Sequence, residues 1–362
     1  MCRSGHCDRR RLTQLIRIHR IRRMGGGTEL PGGGARPATS TDVAIEAGVS
    51  QATVARTFSA PHLVSERTRE RVSAAAERLG YAPNAFARSL KSQQSNVVGA
   101  VVPVYGEYWQ NVLSAVTREL AVRGRQLLLF SFTDPGEVDD VLDIVRQYRV
   151  SGLMLASASI RPDQLSAMRR QSSPTVAFNQ PAASGLVSSV SVDNEAGCRL
   201  LASHLVDQGC RTAVFVGGVS SISTDQARYR GAAKEMGDHG VALPYIGAGA
   251  FSYDAGYRCA ERIARLAPDA VMVGSDEVAF GVIDGLESRG VRIPDDMAVT
   301  GFDGLPQASW AGIDLTTLVQ PTDLLAQHAA ELLVDMTSVS RPTDVVVDGH
   351  LRIGRTTKRS ER

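Results

Sequence analysis

The amino-acid sequence predicts an α/β protein in which an N-terminal all-α helix-turn-helix head and a hinge helix precede two doubly wound α/β lobes. Short helical stretches separated by a glycine turn fill residues 38–80, and apolar runs alternate with amphipathic helices from residue 97 onward. Residues 1–92 hold 16 lysines and arginines against 7 aspartates and glutamates, whereas residues 93–362 hold 24 against 31. A basic head on an acidic body indicates that the head meets a polyanion.

The composition excludes several classes of protein. The chain has 362 residues, of which 43% are apolar, enough for about two or three domains with sizeable cores. No apolar run approaches the roughly 18 residues that span a bilayer, and the N-terminus lacks the apolar core of a signal peptide. The five cysteines are scattered and predict no disulfide framework. We therefore expect a cytoplasmic protein.

Residues 1–37 are predicted to form a disordered basic extension. They carry nine arginines and two glycine triplets, with no sustained helical or strand period beyond one short apolar run. The arginines offer nonspecific phosphate contacts, but a tail without function explains the composition more simply. The spacing of Cys2, His6, Cys7 and His19 matches no standard zinc finger, so no metal or cofactor is expected.

Residues 38–81 form the predicted helix-turn-helix head. A first helix over Ser40–Ala47 ends at a glycine, which adopts the left-handed turn conformation that other residues avoid. Ser50 is expected to cap a second helix, Gln51–Ser59, and Ser65 to cap a third. A helix, a glycine turn and a helix that starts with small polar residues are typical of DNA-binding motifs, although any small helical bundle shares the pattern.

Residues 82–92 are predicted to form the hinge helix. Pro83 suits the first turn of a helix over Asn84–Lys91. Because this helix has little apolar surface to bury, we expect it to be marginal in isolation.

Residues 93–357 predict two parallel sheets with helices on both faces, since strand and helix patterns alternate over a length too great for one small sheet. We assign the N-lobe to about 93–193 plus 321–337 and the C-lobe to about 194–320 plus 340–357. The apolar runs are Val97–Val102, Leu127–Phe132, Leu153–Ala156, Thr175–Phe178, Ser188–Val192, Thr212–Val216, Ala270–Gly274, Met297–Phe302 and Leu315–Val319. The helical candidates are Asn111–Arg123, Val138–Tyr148, Glu195–Gln208, Asp225–His239, Ser252–Leu266, Glu277–Arg289 and Thr322–Thr337.

Polar residues that follow the predicted strands are the candidate ligand contacts of this core. Ligands of doubly wound sheets bind beyond the carboxyl ends of the strands. The residues in such positions are Tyr105 to Trp109, Asn179, Gln180, Asp193, Asp276 and Asp303.

A set of short strings gives the chain a specific family resemblance. In the head they are Thr41-Asp42-Val43-Ala44, Ala47-Gly48-Val49-Ser50, Thr53-Val54-Ala55-Arg56 and Leu79-Gly80-Tyr81-Ala82-Pro83-Asn84. In the body they are Ser191-Val192-Asp193-Asn194, Arg228-Tyr229-Arg230-Gly231, Gly274-Ser275-Asp276, Gly301-Phe302-Asp303 and Leu315-Thr316-Thr317-Leu318-Val319-Gln320-Pro321. On these strings, residues 38–357 resemble the lactose-repressor (LacI/GalR) family of bacterial transcription regulators.

The resemblance implies a periplasmic-binding-protein-like core behind the helix-turn-helix head and the hinge helix. It also implies a homodimer on a near-palindromic, double-stranded operator. A small effector, commonly a sugar or a nucleoside, would bind between the lobes and alter the hinge.

The resemblance assigns DNA contacts to two parts of the chain. Gln51 and Ala52 occupy the first base-reading positions of the second helix and Arg56 a later one, where glutamine suits adenine and arginine suits guanine. The expected phosphate contacts are the hydroxyls of Thr41, Ser50 and Thr53. The alternatives are that Arg56 is only a surface charge and that Thr53 only caps or packs the helix. The hinge residues that match the minor-groove face are Asn84, Ala87 and Leu90, of which Leu90 is the wedge that opens a base step.

The effector contacts follow from the resemblance in the same way. Arg228 and Asp276 match recurrent ligand positions, because a guanidinium and a carboxylate together suit vicinal hydroxyls. The further candidates are Asp303, Asn179 and the aromatic residues Phe251, Trp109 and Tyr108. Core packing of Trp109 and a helix-capping role for Asp276 are the alternatives. Glu107, and the absence of an arginine after Asn179, make the pocket less cationic and favour a neutral sugar over a phosphorylated effector.

Three other functions compete with this interpretation. An exported solute-binding receptor would share the two-lobed core, but a helix-turn-helix head would have no function in it. No dinucleotide fingerprint, Walker loop or nucleophile elbow is present, so we do not expect an enzyme. The remaining alternative is a regulator that is controlled by a protein corepressor and not by a small effector.

Overall fold

The computed structural model describes residues 36, 38–82, 95–103, 106–156, 164, 173–180 and 185–357. The expectations for the basic extension other than Arg36, and for the hinge residues Asn84, Ala87 and Leu90, lie outside this part of the chain. The described residues divide into two compact units, one before and one after Ala85.

The head unit is a small helical domain around a core of short side chains. Its helices are α1 (Ser40–Ala47), α2 (Gln51–Ser59) and α3 (Glu66–Arg78), with a single 3-10 turn at Pro61–Leu63. The buried core consists of Val43, Ala44, Ala47, Val54, Val72, Ala75 and Ala76. The predicted bounds of α1 and α2 are confirmed, because each helix has a cap and an apolar stripe that the sequence shows directly.

A side chain of α3 holds the turn between α1 and α2 in place. Gly48 lies in the left-handed region with φ of 62°. The guanidinium of Arg71 donates to the carbonyls of Ala47 and Gly48, so it closes the C-terminus of α1. Two backbone groups that the α1 helix leaves without partners are thereby satisfied.

The two predicted serine caps behave differently. The Ser50 hydroxyl accepts from the Thr53 amide at 3.1 Å and caps α2, as predicted. Ser65 holds the predicted N-cap position of α3, but its hydroxyl donates to the Thr68 hydroxyl at 2.9 Å and accepts no backbone hydrogen bond there.

The second unit contains two six-stranded sheets, one in each lobe. The strands are β1 (Val97–Pro103), β2 (Gln126–Phe132), β3 (Gly152–Leu155), β4 (Thr175–Phe178), β5 (Ser188–Val192), β6 (Ala213–Gly217), β7 (Tyr245–Gly247), β8 (Ala270–Val273), β9 (Ala298–Asp303), β10 (Thr316–Val319), β11 (Asp344–Val347) and β12 (His350–Arg352). The helices are α4 (Glu107–Val122), α5 (Val138–Gln147), α6 (Asn194–Asp207), α7 (Ser223–Asp238), α8 (Tyr253–Leu266), α9 (Asp276–Glu287) and α10 (Thr322–Val334).

The strand orders define two doubly wound lobes. The N-lobe sheet runs β11-β5-β4-β3-β1-β2 and the C-lobe sheet β12-β10-β9-β8-β6-β7. In the N-lobe, α4 and α10 bury apolar residues on one face and α5 on the other. In the C-lobe, α6 and α7 cover one face and α8 and α9 the other. The predicted fold class is thereby confirmed.

The C-terminal strands correct the predicted division of the lobes. β11 pairs in parallel with β5, so Asp344–Val347 completes the N-lobe sheet, whereas we expected residues 340–357 to belong to the C-lobe. β12 pairs with β10 and belongs to the C-lobe, but it runs antiparallel in a sheet that we expected to be parallel. The strands β7, β11 and β12 were not predicted, because they are edge strands with partly exposed side chains and lack the continuous buried apolar run of the central strands.

The chain therefore passes between the lobes three times within residues 185–357. The crossings lie between β5 and α6, between β10 and α10, and between β11 and β12.

Helix α4 differs from its prediction. It begins at Glu107, directly after Gly106, whereas the predicted start is Asn111, four residues later. No helix of the described residues is long and apolar enough to cross a membrane.

A glycine contact between α6 and α7 yields a test of C-lobe packing. A Cβ at Gly231 would overlap the Glu195 carbonyl oxygen of α6, whereas a Cβ at Gly237 in the same helix meets open space. We expect Gly231→Ala to lower the free energy of unfolding by about 1 to 3 kcal/mol, because the two helix backbones must separate. The measurement is urea unfolding followed by circular dichroism.

Gly237→Ala is the matched control. It should leave the free energy of unfolding unchanged or raise it by up to about 1 kcal/mol, because alanine restricts the unfolded chain. Equal effects of the two substitutions would show that the α6–α7 contact is not close-packed.

Candidate functional site

The head presents a polar face on α2. Gln51, Ala52 and Arg56 are all exposed, and they lie one, two and six residues after the capping Ser50. The Ser50 and Thr53 hydroxyls lie 2.9 Å apart and hydrogen-bond to each other, while Thr53 also retains the capping contact through its amide. The predicted base-reading residues therefore share one accessible face, although no described contact tests their roles.

The start of α1 lies beside the start of α2. The amide nitrogen Nε2 of Gln51 donates to Ser40 Oγ at 2.8 Å, and the neighbouring Thr41 is exposed. Ser40 was not among the predicted site residues. The motif strings begin at Thr41, and a contact between residues eleven positions apart leaves no local sequence signal.

In the C-lobe, Arg228 is buried and fully engaged. Its side chain lies on α7, and the residue is only 4% exposed. Nε donates to Asn194 Oδ1 at 2.8 Å, Nη1 donates to the Gly274 carbonyl, and Nη2 lies 3.4 Å from Asp303 Oδ1. The guanidinium also stands 3.8 Å from the ring centroid of Phe302. Its orientation is thus fixed by protein groups.

A chain of hydrogen bonds continues from Arg228 to the other lobe. Asp303 accepts from Gln320 Nε2 at 2.7 Å, and Gln320 Oε1 accepts from the Tyr108 hydroxyl at 3.1 Å. Tyr108 lies on α4 of the N-lobe, whereas Asp303 ends β9 of the C-lobe. Gln320 follows β10 and was not predicted as a site residue, although its position after a strand was the available signal.

Asp303 has an unusual backbone and an unusual acidity. Its φ is 130°, in the region that favours glycine. Burial raises the pKa of its carboxyl to about 6, although Arg228 and the bond from Gln320 act in the opposite direction. Burial also raises the pKa of the Tyr108 hydroxyl, so this group stays a neutral donor.

Asp276 lies beneath the cleft with both carboxylate oxygens occupied. It is fully buried, Oδ1 accepts from the Thr317 hydroxyl at 2.5 Å, and Oδ2 accepts from the Leu305 amide at 2.7 Å. Burial, and then the charge of Asp303, raise the pKa of Asp276 to about 7. An effector contact by Asp276 stays a prediction.

The alternative capping role of Asp276 is wrong. Ser275 is the N-cap of α9, and its Oγ accepts from the Val278 amide at 3.4 Å. Asp276 instead ties the start of α9 to the segments that follow β9 and lie in β10.

Two glutamates, Glu107 and Glu277, lie near each other where the lobes meet. Gln307 of the C-lobe donates through Nε2 to Glu107 of the N-lobe. The Glu277 carboxylate lies against Gly106, where any side chain would overlap it. Burial raises the pKa of Glu277, and the charges of Asp303 and Glu107 raise it further. This rim of the cleft therefore repels anions.

The predicted aromatic contacts separate into different environments. Trp109 packs into the N-lobe core, with its ring centroid 5.2 Å from Tyr108 and 6.3 Å from Phe178. The core-packing alternative for Trp109 thus has direct support. Phe251 lies in the C-lobe after β7, with its ring so close to Gly218 that a side chain there would overlap it.

Trp109 also lines a cavity of about 320 Å³ between β1, β2 and α4. Its other lining residues are Val102, Pro103, Gly106, Gln110, Leu113, Leu129 and Ser131. All of them belong to the N-lobe, and none is among the polar residues around Arg228.

Asn179 keeps one polar atom without a partner. It follows β4 in the left-handed region with φ of 54°, and its buried Oδ1 accepts no hydrogen bond from the described residues. Such an acceptor is costly unless a ligand or water donates to it. Among the described residues, no group of three or more His, Cys, Asp or Glu side chains is placed to hold a metal ion.

The chain matches two family models. Residues 39–84 match bacterial regulatory proteins of the lacI family, and residues 202–357 match the periplasmic binding protein-like domain. Together these ranges cover more than half of the chain.

Curated relatives match over most of their length. The HTH-type transcriptional repressor PurR of Serratia proteamaculans is 31% identical over 325 residues, which are 87% of this chain and 95% of the relative. The ribose operon repressor of Escherichia coli is 30% identical over 313 residues, which are 84% of this chain and 94% of the relative.

Solved structures share the architecture. The lac repressor dimer bound to operator and the anti-inducer ONPF has a TM-score of 0.79 at 24% identity, covering 89% of this chain and 99% of its own. The transcriptional regulator CelR in complex with cellobiose has a TM-score of 0.65 at 28% identity, covering 88% and 99%.

The raised pKa of Asp276 predicts a pH-dependent difference in stability. Between about pH 4 and pH 7 the folded protein holds a proton on this carboxyl that the unfolded chain has released. The free energy of unfolding of wild type should therefore fall relative to that of Asp276→Asn as the pH rises through this range. Urea unfolding of both proteins at several pH values measures the difference.

Asp254→Asn, at the exposed start of α8, is the control and should follow wild type throughout. A wild-type protein that gains stability relative to Asp276→Asn with rising pH would contradict the assignment.

Proposed function

Because the chain belongs to the lacI family of bacterial regulatory proteins, we propose that it is a transcriptional repressor that binds a near-palindromic operator as a homodimer under the control of a small effector. The observation that carries the proposal is the exposed face of α2, where Gln51, Ala52 and Arg56 lie together within the matched helix-turn-helix. As a transcriptional regulator it acts in the cytoplasm.

The head reads the operator through base contacts and is held on it by phosphate contacts. Arg56 donates in bidentate fashion to guanine and Gln51 pairs with adenine in the major groove, with Ala52 against a neighbouring base edge. The phosphate contacts are Thr41, Ser50 and Thr53. The hinge residues Asn84, Ala87 and Leu90 enter the minor groove, where Leu90 wedges apart a central base step.

A homodimer accounts for the exposed apolar edge of the core. β2 is an edge strand of the N-lobe sheet, and its Leu129 is 50% exposed beside the cavity under Trp109. In the C-lobe, Tyr253 and Tyr257 of α8 are both more than one third exposed. A second copy that covers these surfaces places two heads on successive major grooves, which requires a two-fold symmetric site.

The effector is a neutral, sugar-like molecule bound between the lobes. Its hydroxyls exchange with the internal partners along Tyr108, Gln320, Asp303 and Arg228, since that chain offers both donors and acceptors. The Oδ1 of Asn179, which has no hydrogen-bond partner among the described residues, takes a further hydroxyl, and Asp276 and the rings of Phe251 and Trp109 complete the predicted contacts.

The same hydrogen bonds link effector binding to the arrangement of the lobes. Tyr108 belongs to the N-lobe, and the strand that starts this lobe, β1, follows the hinge in sequence. A ligand that replaces the bond between Tyr108 and Gln320 removes a contact between the lobes and so shifts their equilibrium. This shift in the arrangement of the lobes alters the hinge.

Operator binding tests the assignment of the head. Arg56→Ala should weaken binding to a selected palindromic operator by about 1 to 3 kcal/mol and relax the preference at one base pair of each half-site, because a bidentate contact is lost. Leu90→Ala should also weaken binding, because the base step is no longer opened. Electrophoretic mobility shifts with operator libraries measure both quantities.

Arg67→Ala, an exposed arginine of α3, is the matched control for charge and should leave the base preference unchanged. An unaltered preference in Arg56→Ala would contradict the proposed contact. The absence of any palindrome-specific binding by wild type would contradict the proposed function.

Ligand titration tests the assignment of the cleft. Neutral sugars should bind more tightly than their phosphates, because Glu107 and Glu277 repel anions. The readout is intrinsic fluorescence of the full chain, with calorimetry for affinities. Trp109→Phe should abolish the fluorescence change, whereas Trp310→Phe, whose tryptophan is exposed, should retain it.

Tighter binding of a sugar phosphate would contradict the neutral-effector assignment. A lack of response to sugars, sugar acids, nucleosides and sugar phosphates alike would instead favour a protein corepressor.

A further inference from the structure

A single side-chain contact joins the first residues of α1 and α2. Ser40 Oγ accepts from Gln51 Nε2 at 2.8 Å, although the two residues are eleven positions apart. Gln51 is exposed, and Ser40 is partly buried at the base of the same face. The contact therefore ties a long, exposed polar side chain to a short one that has little freedom of its own.

Ser40 is a fixed anchor because both ends of α1 are held. At the N-terminus, Thr39 and Asp42 form a reciprocal cap, in which Asp42 Oδ2 accepts from the Thr39 amide at 2.8 Å. At the C-terminus, Arg71 donates to the carbonyls of Ala47 and Gly48. Ser40 cannot shift without disturbing one of these contacts.

The anchor determines which polar atoms of Gln51 remain for DNA. A glutamine amide has two N–H donors and one carbonyl acceptor. Ser40 uses one N–H, so the other N–H and Oε1 stay available side by side. One donor beside one acceptor is the pattern that matches N7 and N6 of adenine in the major groove.

The opposite orientation of the amide would select a different base. If the Ser40 hydroxyl donated to Gln51 Oε1, both N–H groups would face the groove, and two donors match the N7 and O6 acceptors of guanine. The observed orientation, in which Ser40 accepts from Gln51, thus favours adenine over guanine.

We propose that Ser40 is a positioning residue that orients the Gln51 amide for adenine and so determines specificity at one base pair of each operator half-site. The inference rests on the proposed operator binding and adds a residue that reads no base itself. Its energetic basis is that the Gln51 rotamer is ordered before DNA binds, which removes an entropic cost from recognition.

The test compares base preferences of the full-length chain on half-site libraries randomised at each position. The variants are Ser40→Ala, Ser40→Thr, Gln51→Ala and the double variant Ser40→Ala/Gln51→Ala. We expect wild type to prefer adenine at one position, and Ser40→Ala to reduce that preference by about five- to tenfold. Ser40→Thr keeps the hydroxyl and should keep the preference.

The double variant separates positioning from direct contact. If Ser40 acts through Gln51, adding Ser40→Ala to Gln51→Ala should cause no further change in the base profile. The slope of affinity against salt concentration should be unchanged in Ser40→Ala, because no charge is altered. Ser73→Ala, the same substitution on the exposed face of α3, is the control and should match wild type in profile and in thermal unfolding.

Several outcomes would overturn the inference while leaving operator binding intact. These are a guanine preference at the Gln51 position, an unchanged profile in Ser40→Ala, and additive effects in the double variant. Loss of thermal stability in both Ser40→Ala and Ser40→Thr with equal loss at every base position would assign Ser40 to folding alone. If wild type shows no preference for any palindrome, the failure lies with the proposed function.

Discussion

The buried charge of Arg228 is the constraint around which the core is organised. A guanidinium that is almost wholly removed from water must be paired and hydrogen-bonded, and here Asn194, the Gly274 carbonyl and Asp303 provide those partners. The pairing places the ends of the C-lobe strands β8 and β9 and the start of α6, which follows the N-lobe strand β5, around one side chain. It also gives Asp303 a partner that offsets the burial of its carboxylate and its left-handed backbone.

An effector that binds along this chain of residues, as proposed, must exchange its hydrogen bonds for internal ones. Each residue along the chain from Arg228 to Tyr108 already has a hydrogen-bond partner inside the protein. A ligand gains affinity only where its hydrogen bonds are at least as good as those it displaces. Such a site discriminates through geometry more than through burial, and the acidic rim formed by Glu107 and Glu277 adds a charge criterion to that geometry.

Much of this organisation could be predicted from the sequence, and the parts that could not share a physical cause. Elements with caps or buried apolar runs, such as α1, α2 and the central strands, were predicted because their signals are local. The pairing of β11 with β5 joins residues more than 150 positions apart, and the Ser40–Gln51 contact depends on the angle between two helices. Asp276 accepts from Leu305 and Thr317, and these residues lie on segments that come together only in the folded chain.

The placement of β11 and β12 has a consequence for how the chain is made. The two strands are only a few residues apart, yet one closes the edge of the N-lobe sheet and the other closes the edge of the C-lobe sheet. During synthesis from the N-terminus, the N-lobe sheet cannot be complete until residue 347 has left the ribosome, and the C-lobe sheet not until residue 352 has done so. The head, which has a buried core of its own, is free to fold long before that point. A nascent chain would therefore hold a finished DNA-binding domain while its control domain still exposes two open sheet edges, which need protection from association with other chains.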